Sequence, residues 1–186
     1  MQAIDLLVKE HDNIKRVLVV ARKLCINILN TGDVDFEAFY DIIDFVRNYA
    51  DNHHHGKEED ILFERMAGEL EKDVEEITIA AMHSEHDFGR YFINNLEQAL
   101  KAVKDGDEES KIDIIANAIC YADLLNRHIF KENNIVYNYG KENLSKESLD
   151  EIGKECKVIE ENAKDKGVQD KYINLIDKLE SQINND

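Results

Sequence analysis

Proline and tryptophan are both missing from the 186 residues, glycine occurs only 8 times, and 23 lysines and arginines face 40 aspartates and glutamates. Each shortage argues against something. With no proline to fix φ or remove a backbone donor, nothing stands in the way of long uninterrupted helices. A net charge of −17 repels nucleic acid and anionic membrane, so neither is expected as a partner, and it suits the attraction of cations. No apolar run approaches the roughly 20 residues that span a bilayer. The opening "MQAIDLLVKEHDNIKRVL" carries acids early and no small-residue cleavage site, so it does not read as a signal peptide. Cysteine is scarce as well. Cys25, Cys120 and Cys156 are far apart, odd in number and outside any CxxC or thiolate knuckle, which points to a reduced cytoplasm and to small apolar packing roles.

What is present is helical periodicity. The apolar fraction of 43% supports a core for one domain with an appendage. The first segment, about 2 to 29, carries Leu7, His11, Ile14 and Leu18 on one stripe, and "NTGDVD" ends it, with Asp33 offered as the next N-cap. The second, about 35 to 67, carries Phe39, Ile43, Val46, Ala50, His54, Glu58 and Ile61, with Gly68 near its end. The third, about 72 to 103, carries Ile79, Met82, His86, Gly89, Ile93 and Leu96, and "KDGDEES" follows. The fourth, about 109 to 139, carries Ile114, Ala118, Tyr121, Leu125, His128, Glu132 and Ile135. Four long segments with short links predict an all-α, antiparallel up-down-up-down four-helix bundle over residues 1–140. Two shorter amphipathic pieces in 141–186, one with Leu149, Ile152, Cys156, Ile159 and Ala163 and one with Ile173, Ile176, Leu179 and Ile183, are expected to pack on that bundle or to mediate homo-oligomerisation.

Histidine carries the chemistry. "HHGKEEDILF" at 54–63 aligns without gaps to "HIFKENNIVY" at 128–137, so His54 and Glu58 correspond to His128 and Glu132. Residues equidistant from a shared turn meet at one level of an antiparallel pair. The midpoint of residues 11 and 54 falls on "TGD", that of 54 and 86 beside Gly68, and that of 86 and 128 inside "KDGDEE". His11, His54, His86 and His128 should therefore share one core layer, with Glu58 and Glu132 about one turn along the same faces. Buried carboxylates without a partner cost several kcal/mol each, and bound cations remove that cost. Six such groups suit two divalent ions with bridging carboxylates. Mixed nitrogen and oxygen donors favour iron or manganese over a closed zinc site.

Neighbouring residues admit plainer readings. His53 and His55 read as flanking, with His55 and Glu59 the alternative to His54 and Glu58. His83 is three residues from His86, about 60° around the helix, and reads as peripheral, the alternative being a fifth ligand. Glu59, Glu85 and Asp87 fit a solvated face, and either glutamate could orient a ligand histidine. Tyr121 reads as packing or as a donor to a bound small molecule, Met82 as core, and Gly89 as clearance beside His86.

At "EHDNI" (10–14), "HHGKEEDILF", "EHDFGR" (85–90) and "HIFKENN" (128–134) the chain resembles the hemerythrin-like (HHE cation-binding) family over about residues 5–140. The resemblance implies a non-haem di-iron centre held by His11, His54, Glu58, His86, His128 and Glu132, the two glutamates bridging, and binding of or reaction with O₂, NO or peroxide. The oxygen carriers of the family have a His-x-x-x-His pair on the third helix and a final aspartate. Here Met82 and Arg90 occupy that spacing from His86, and the last carboxylate is Glu132. Four histidines with two glutamates look more like iron-sulfur-cluster-repair proteins and iron sensors, without the cysteine-bearing domain of the former. The expected roles are sensing or stress defence, with peroxide or NO reduction or iron donation as the alternative and a structural bundle with zinc or no metal as another. Electrons would come from a separate donor, since no flavin, haem or rubredoxin motif is present.

Overall fold

The first rod, α1 (Ala3–Thr31), buries a face made of Leu7, His11, Ile14, Leu18, Ala21 and Cys25. A computed structural model describes residues 3–183, the side chains of 74–76 excepted, and the expected first helical residue, 2, lies outside the described residues. Gly32 closes α1 with φ at +78°, a left-handed turn that favours glycine. The rod α2 spans 36–69 and runs without a break through α-helical and wider, π-helical turns. Its N-cap is Asp35, whose carboxylate accepts from the Ala38 amide at 3.0 Å. The expected cap, Asp33, lies two residues before the observed one. Rods α3 (72–104) and α4 (111–143) follow, then α5 (Lys146–Asp165) and α6 (Val168–Ile183). Among the described residues there are six such rods and no strand, so the fold is all-α. Among the described residues, no helix is long and apolar enough to cross a membrane.

The first four rods alternate in direction, because the short links at 32–35, 70–71 and 105–110 return each rod along its predecessor. The predicted stripes are buried, or half-buried at Leu149, Ile159 and Ile183, with two exceptions. Ile135 is exposed and Val136 is buried in its place, because the wide turn at Glu132–Val136 shifts the helical phase by one residue. Ile173 is also exposed, and Tyr172 fills the core position. Cys25 and Cys156 are buried as small apolar residues, whereas Cys120 is exposed.

The apolar core forms two clusters. One holds Ile14, Leu18, Phe39, Ile93, Leu100, Leu125 and Ile129 and includes Tyr172, Ile176 and Leu179 of α6. The other holds Ile4, Leu7, Leu62, Phe63, Met66, Met82 and Tyr137 and includes Ile152 and Cys156 of α5. Between the clusters lies a layer of imidazoles and carboxylates. The hairpin of α5 and α6 thus joins both clusters and passes that layer on the outside. Ser145 caps α5, and Glu69 at the end of α2 accepts from the Ser145 amide at 2.6 Å and from the Ser148 hydroxyl.

Candidate metal centre

The layer is built halfway along the bundle by His11 of α1, His54, His55 and Glu58 of α2, His86 of α3, and His128 and Glu132 of α4. None is more than 5% exposed. His11 Nε2 lies 2.8 Å from His54 Nε2, and His86 Nε2 lies 2.9 Å from His128 Nε2. The six residues expected to share a layer are therefore brought together, and His55 joins them. Its ring stacks on His86 with centroids 3.8 Å apart.

Two wide segments of α2, Val46–His55 and Glu58–Phe63, explain how neighbours in sequence both face inward. An α-helix turns about 100° per residue, which would point His55 away from His54. Hydrogen bonds of the i→i+5 type put more residues in each turn, and such turns concentrate at functional sites. Burial in α2 accordingly comes in runs: 53–55, 57–58 and 61–63.

Every ring is oriented through its outer nitrogen. His54 Nδ1 donates to Glu10 Oε2 at 2.8 Å, His86 Nδ1 to Glu59 Oε1 at 2.6 Å, and His128 Nδ1 to Glu85 Oε2 at 2.9 Å. His11 Nδ1 donates to Asn133 Oδ1 at 2.9 Å, and His55 Nδ1 lies 3.3 Å from Asp51 Oδ1. Carboxylate and amide oxygens only accept, so Nδ1 carries the proton and the neutral ring keeps a lone pair on Nε2. Two lone pairs facing each other at 2.8 or 2.9 Å repel unless a proton or a metal cation lies between them.

The carboxylates complete two donor sets. Glu58 Oε1 is 3.6 Å from His54 and Oε2 is 3.6 Å from His86. Glu132 Oε2 is 3.2 Å from His11 and Oε1 is 2.9 Å from His128. Each glutamate thus addresses both imidazole pairs, one oxygen to each. Donor atoms of His11, His54, Glu58 and Glu132 lie within 4.8 Å of one another, as do those of His55, Glu58, His86 and His128. Ligands at about 2.1 Å from one ion stand about 3–4 Å apart, which matches these separations. Glu58 Oε2 and both oxygens of Glu132 are buried without a hydrogen-bond partner, a costly state that a bound cation relieves. The donors present therefore fit metal ions.

Charge in the layer is strongly perturbed. Burial and the adjacent Glu132 push the Glu58 carboxyl well above its ordinary range. Burial also works against Glu132, but His128, His11 and His86 outweigh it and hold that carboxyl well below the usual range. Burial and the neighbouring His11 bring His54 down to about 4. His86 is raised to about 10, because Glu132, Glu59 and Glu58 overcome its burial.

The flanking residues divide clearly. His53 turns away from the layer towards Glu10 and Glu160, at 3.2 and 3.0 Å. His83 is half-buried and meets Phe63 edge-on. Glu59 and Glu85 orient His86 and His128. Arg90, at the spacing where a histidine would extend the third-helix pair, binds Asp51 and Glu59 instead, its Nη2 2.8 Å from each, and so holds the acceptors of His55 and His86 together. Sequence reasoning did not find Glu10, Asp51, Asn133, Lys57 or Tyr137. Tyr137 could have been noticed, since it faces Phe63 in the internal repeat and is the one of the two that carries a hydroxyl.

A cavity of about 250 Å³ opens beside His55 and His86, lined also by Gly89, Arg90, Ile93 and Tyr121. The Tyr121 hydroxyl is buried with no hydrogen-bond partner. A Cβ at Gly89 would stand 3.5 Å from the Tyr121 ring, so the glycine keeps this wall thin.

Curated proteins give no match to the chain. The family profile described as hemerythrin HHE cation binding domain matches residues 2–139, a span that contains every residue of the layer. The chain belongs to the hemerythrin HHE cation-binding domain family, and its buried histidine–glutamate layer is a metal-binding site.

Proposed function

We propose that the layer holds two iron ions, one by His11, His54, Glu58 and Glu132 and the other by His55, His86 and His128 with the same two glutamates bridging. The observation that carries this reading is the pair of imidazole couples facing Nε2 to Nε2 while Glu58 and Glu132 each turn one oxygen to either couple. Nitrogen and oxygen donors in this mixture favour iron or manganese. Bound there, the ions supply redox equivalents and open positions for a small ligand such as O₂, NO or peroxide, for sensing or stress defence. The protein's own part is to fix the imidazole tautomers through Glu10, Glu59, Glu85, Asp51 and Asn133, to keep bulk water out with the two apolar clusters, and to leave the cavity at His55 and His86 as a way in. Electrons for any turnover come from a separate donor.

Metal analysis of protein prepared without supplementation, with optical spectra before and after O₂, NO and peroxide, tests the proposal. About two irons per chain and a spectral change with at least one ligand are expected. Zinc alone, no metal, or unchanged metal content in both Glu58→Ala and His128→Ala would overturn it.

A further inference from the structure

Outside the layer, the most unusual group is Lys57, a lysine with no exposed surface. Its Nζ meets Glu10 Oε1, Glu160 Oε1 at 2.5 Å and His53 Nε2 at 3.1 Å. Glu160 belongs to α5, beyond the family match, and its second oxygen accepts from Gln169 Nε2 at 2.9 Å at the turn into α6. Donor atoms of Glu10, His53 and Glu160 lie close enough to hold a metal, but the Lys57 ammonium already supplies the cation in their midst. The cluster therefore links the hairpin, through Glu10, to His54 of the layer.

Glu10 is the pivot of that link. Its Oε2 orients His54, while its Oε1 is shared by Lys57 and His53, the latter at 3.2 Å. Glu160 takes part of the same two donors, with His53 3.0 Å away. Without its charge, Lys57 and His53 both turn to Glu10, drawing its electron density from His54, and the surroundings of the layer become one unit more positive. A weaker carboxylate partner makes a ligand imidazole less basic, and added positive charge opposes a bound cation.

We propose that Glu160 is a positioning residue for the metal centre, acting through Lys57, His53 and Glu10 on His54, so that docking of the 146–183 hairpin and occupation of the centre favour each other. The proposal rests on the two-ion reading above. Mutual support follows from linkage, because anything that binds better with the hairpin docked also makes the hairpin dock better.

The test uses the full chain loaded with iron and Glu160→Gln. As the control, Glu155→Gln removes an exposed contact of the same helix, 2.9 Å from Arg65, with no path to the cluster. Glu160→Gln should surrender iron to about tenfold less chelator, the lower end of what loss of an outer partner costs, and its reduction potential should rise. Glu155→Gln should match the parent in both. Adding Lys57→Met to Glu160→Gln removes the unbalanced charge and should return the potential towards that of the parent. Hydrogen exchange in 146–183 should slow on iron loading in the parent and respond less in Glu160→Gln. Parental chelator release and potential in Glu160→Gln would overturn the proposal. So would identical exchange of the loaded and stripped parent, which needs no variant to fold. Failure of the parent to bind two ions would instead defeat the underlying reading, and it shows in the parent alone.

Discussion

Tyr137 donates its hydroxyl to Glu58 Oε1 while its ring lies parallel to that of His11, with centroids 5.7 Å apart and an interplanar angle of 1°. One side chain from the far end of α4 therefore fixes a carboxylate of α2 and an imidazole of α1. Burial pushes the phenol well above its ordinary range, so it stays a donor. With the Glu58 carboxyl held neutral by its own burial in metal-stripped protein, the hydrogen bond contributes about 0.5–1.5 kcal/mol. Tyr137→Phe should lower the unfolding free energy of metal-stripped protein by about that amount, read from denaturant midpoints, and should shift the optical spectrum of the loaded form while leaving the ring stack in place. Unchanged midpoint and spectrum together would show that the hydroxyl does nothing for Glu58.

The two histidines on either side of His54 should behave in opposite ways. His55 is stacked on His86 inside the layer, whereas His53 faces Glu10 and Glu160 outside it. His55→Ala should bind about half the parent's metal, measured by elemental analysis, because one donor set loses a nitrogen. His53→Ala should keep the full complement. Equal metal content in the two variants would remove His55 from the donor set.

These two cases mark how far the sequence reads. Turn midpoints placed His11, His54, His86 and His128 at one height, because that inference needs only helix direction and link positions. The same stripes named most of the core. His55 was hidden because stripes assume 3.6 residues per turn, and the wide turns of α2 depart from that spacing. Ile135 failed for the same reason, at the wide turn of α4. Glu10 and Lys57 were hidden for a different reason. A charged residue reads as solvated until its partner is known, and the partner of Lys57, Glu160, lies 103 residues away.

The cysteines give a prediction in pH. Burial raises Cys25 and Cys156 from 9.0 to about 11 each. Their folded values lie above the unfolded ones, so the unfolded chain holds fewer thiol protons between pH 9 and 11, and stability falls as pH rises through that window. Below 9 these groups contribute their full share. Cys25→Ala with Cys156→Ala should flatten that part of the stability curve, at some cost in packing at every pH. At pH 7 a maleimide should label Cys120 alone in the folded chain and all three cysteines in denaturant. Fast labelling of Cys25 or Cys156 without denaturant would contradict their burial.

Tyr121 sets stability against access to the layer. Its buried hydroxyl lacks a partner, which costs about 1–3 kcal/mol, and burial with the charge of nearby Asp51 keeps it protonated. Tyr121→Phe removes the unmet donor and should raise the unfolding free energy, by about 1 kcal/mol or more. If the hydroxyl instead serves a ligand in the cavity, the same variant should bind azide more weakly when iron-loaded, azide being a small anion with an acceptor to offer. Gly89 tests the route from the other wall. A Cβ there makes ordinary contact with the Tyr121 ring at 3.5 Å, so Gly89→Ala should fold and bind as the parent does, while the methyl groups of Gly89→Val should fill the passage and slow azide binding. Parental azide kinetics in both Tyr121→Phe and Gly89→Val, with iron content unchanged, would mean that small ligands reach the layer by another path.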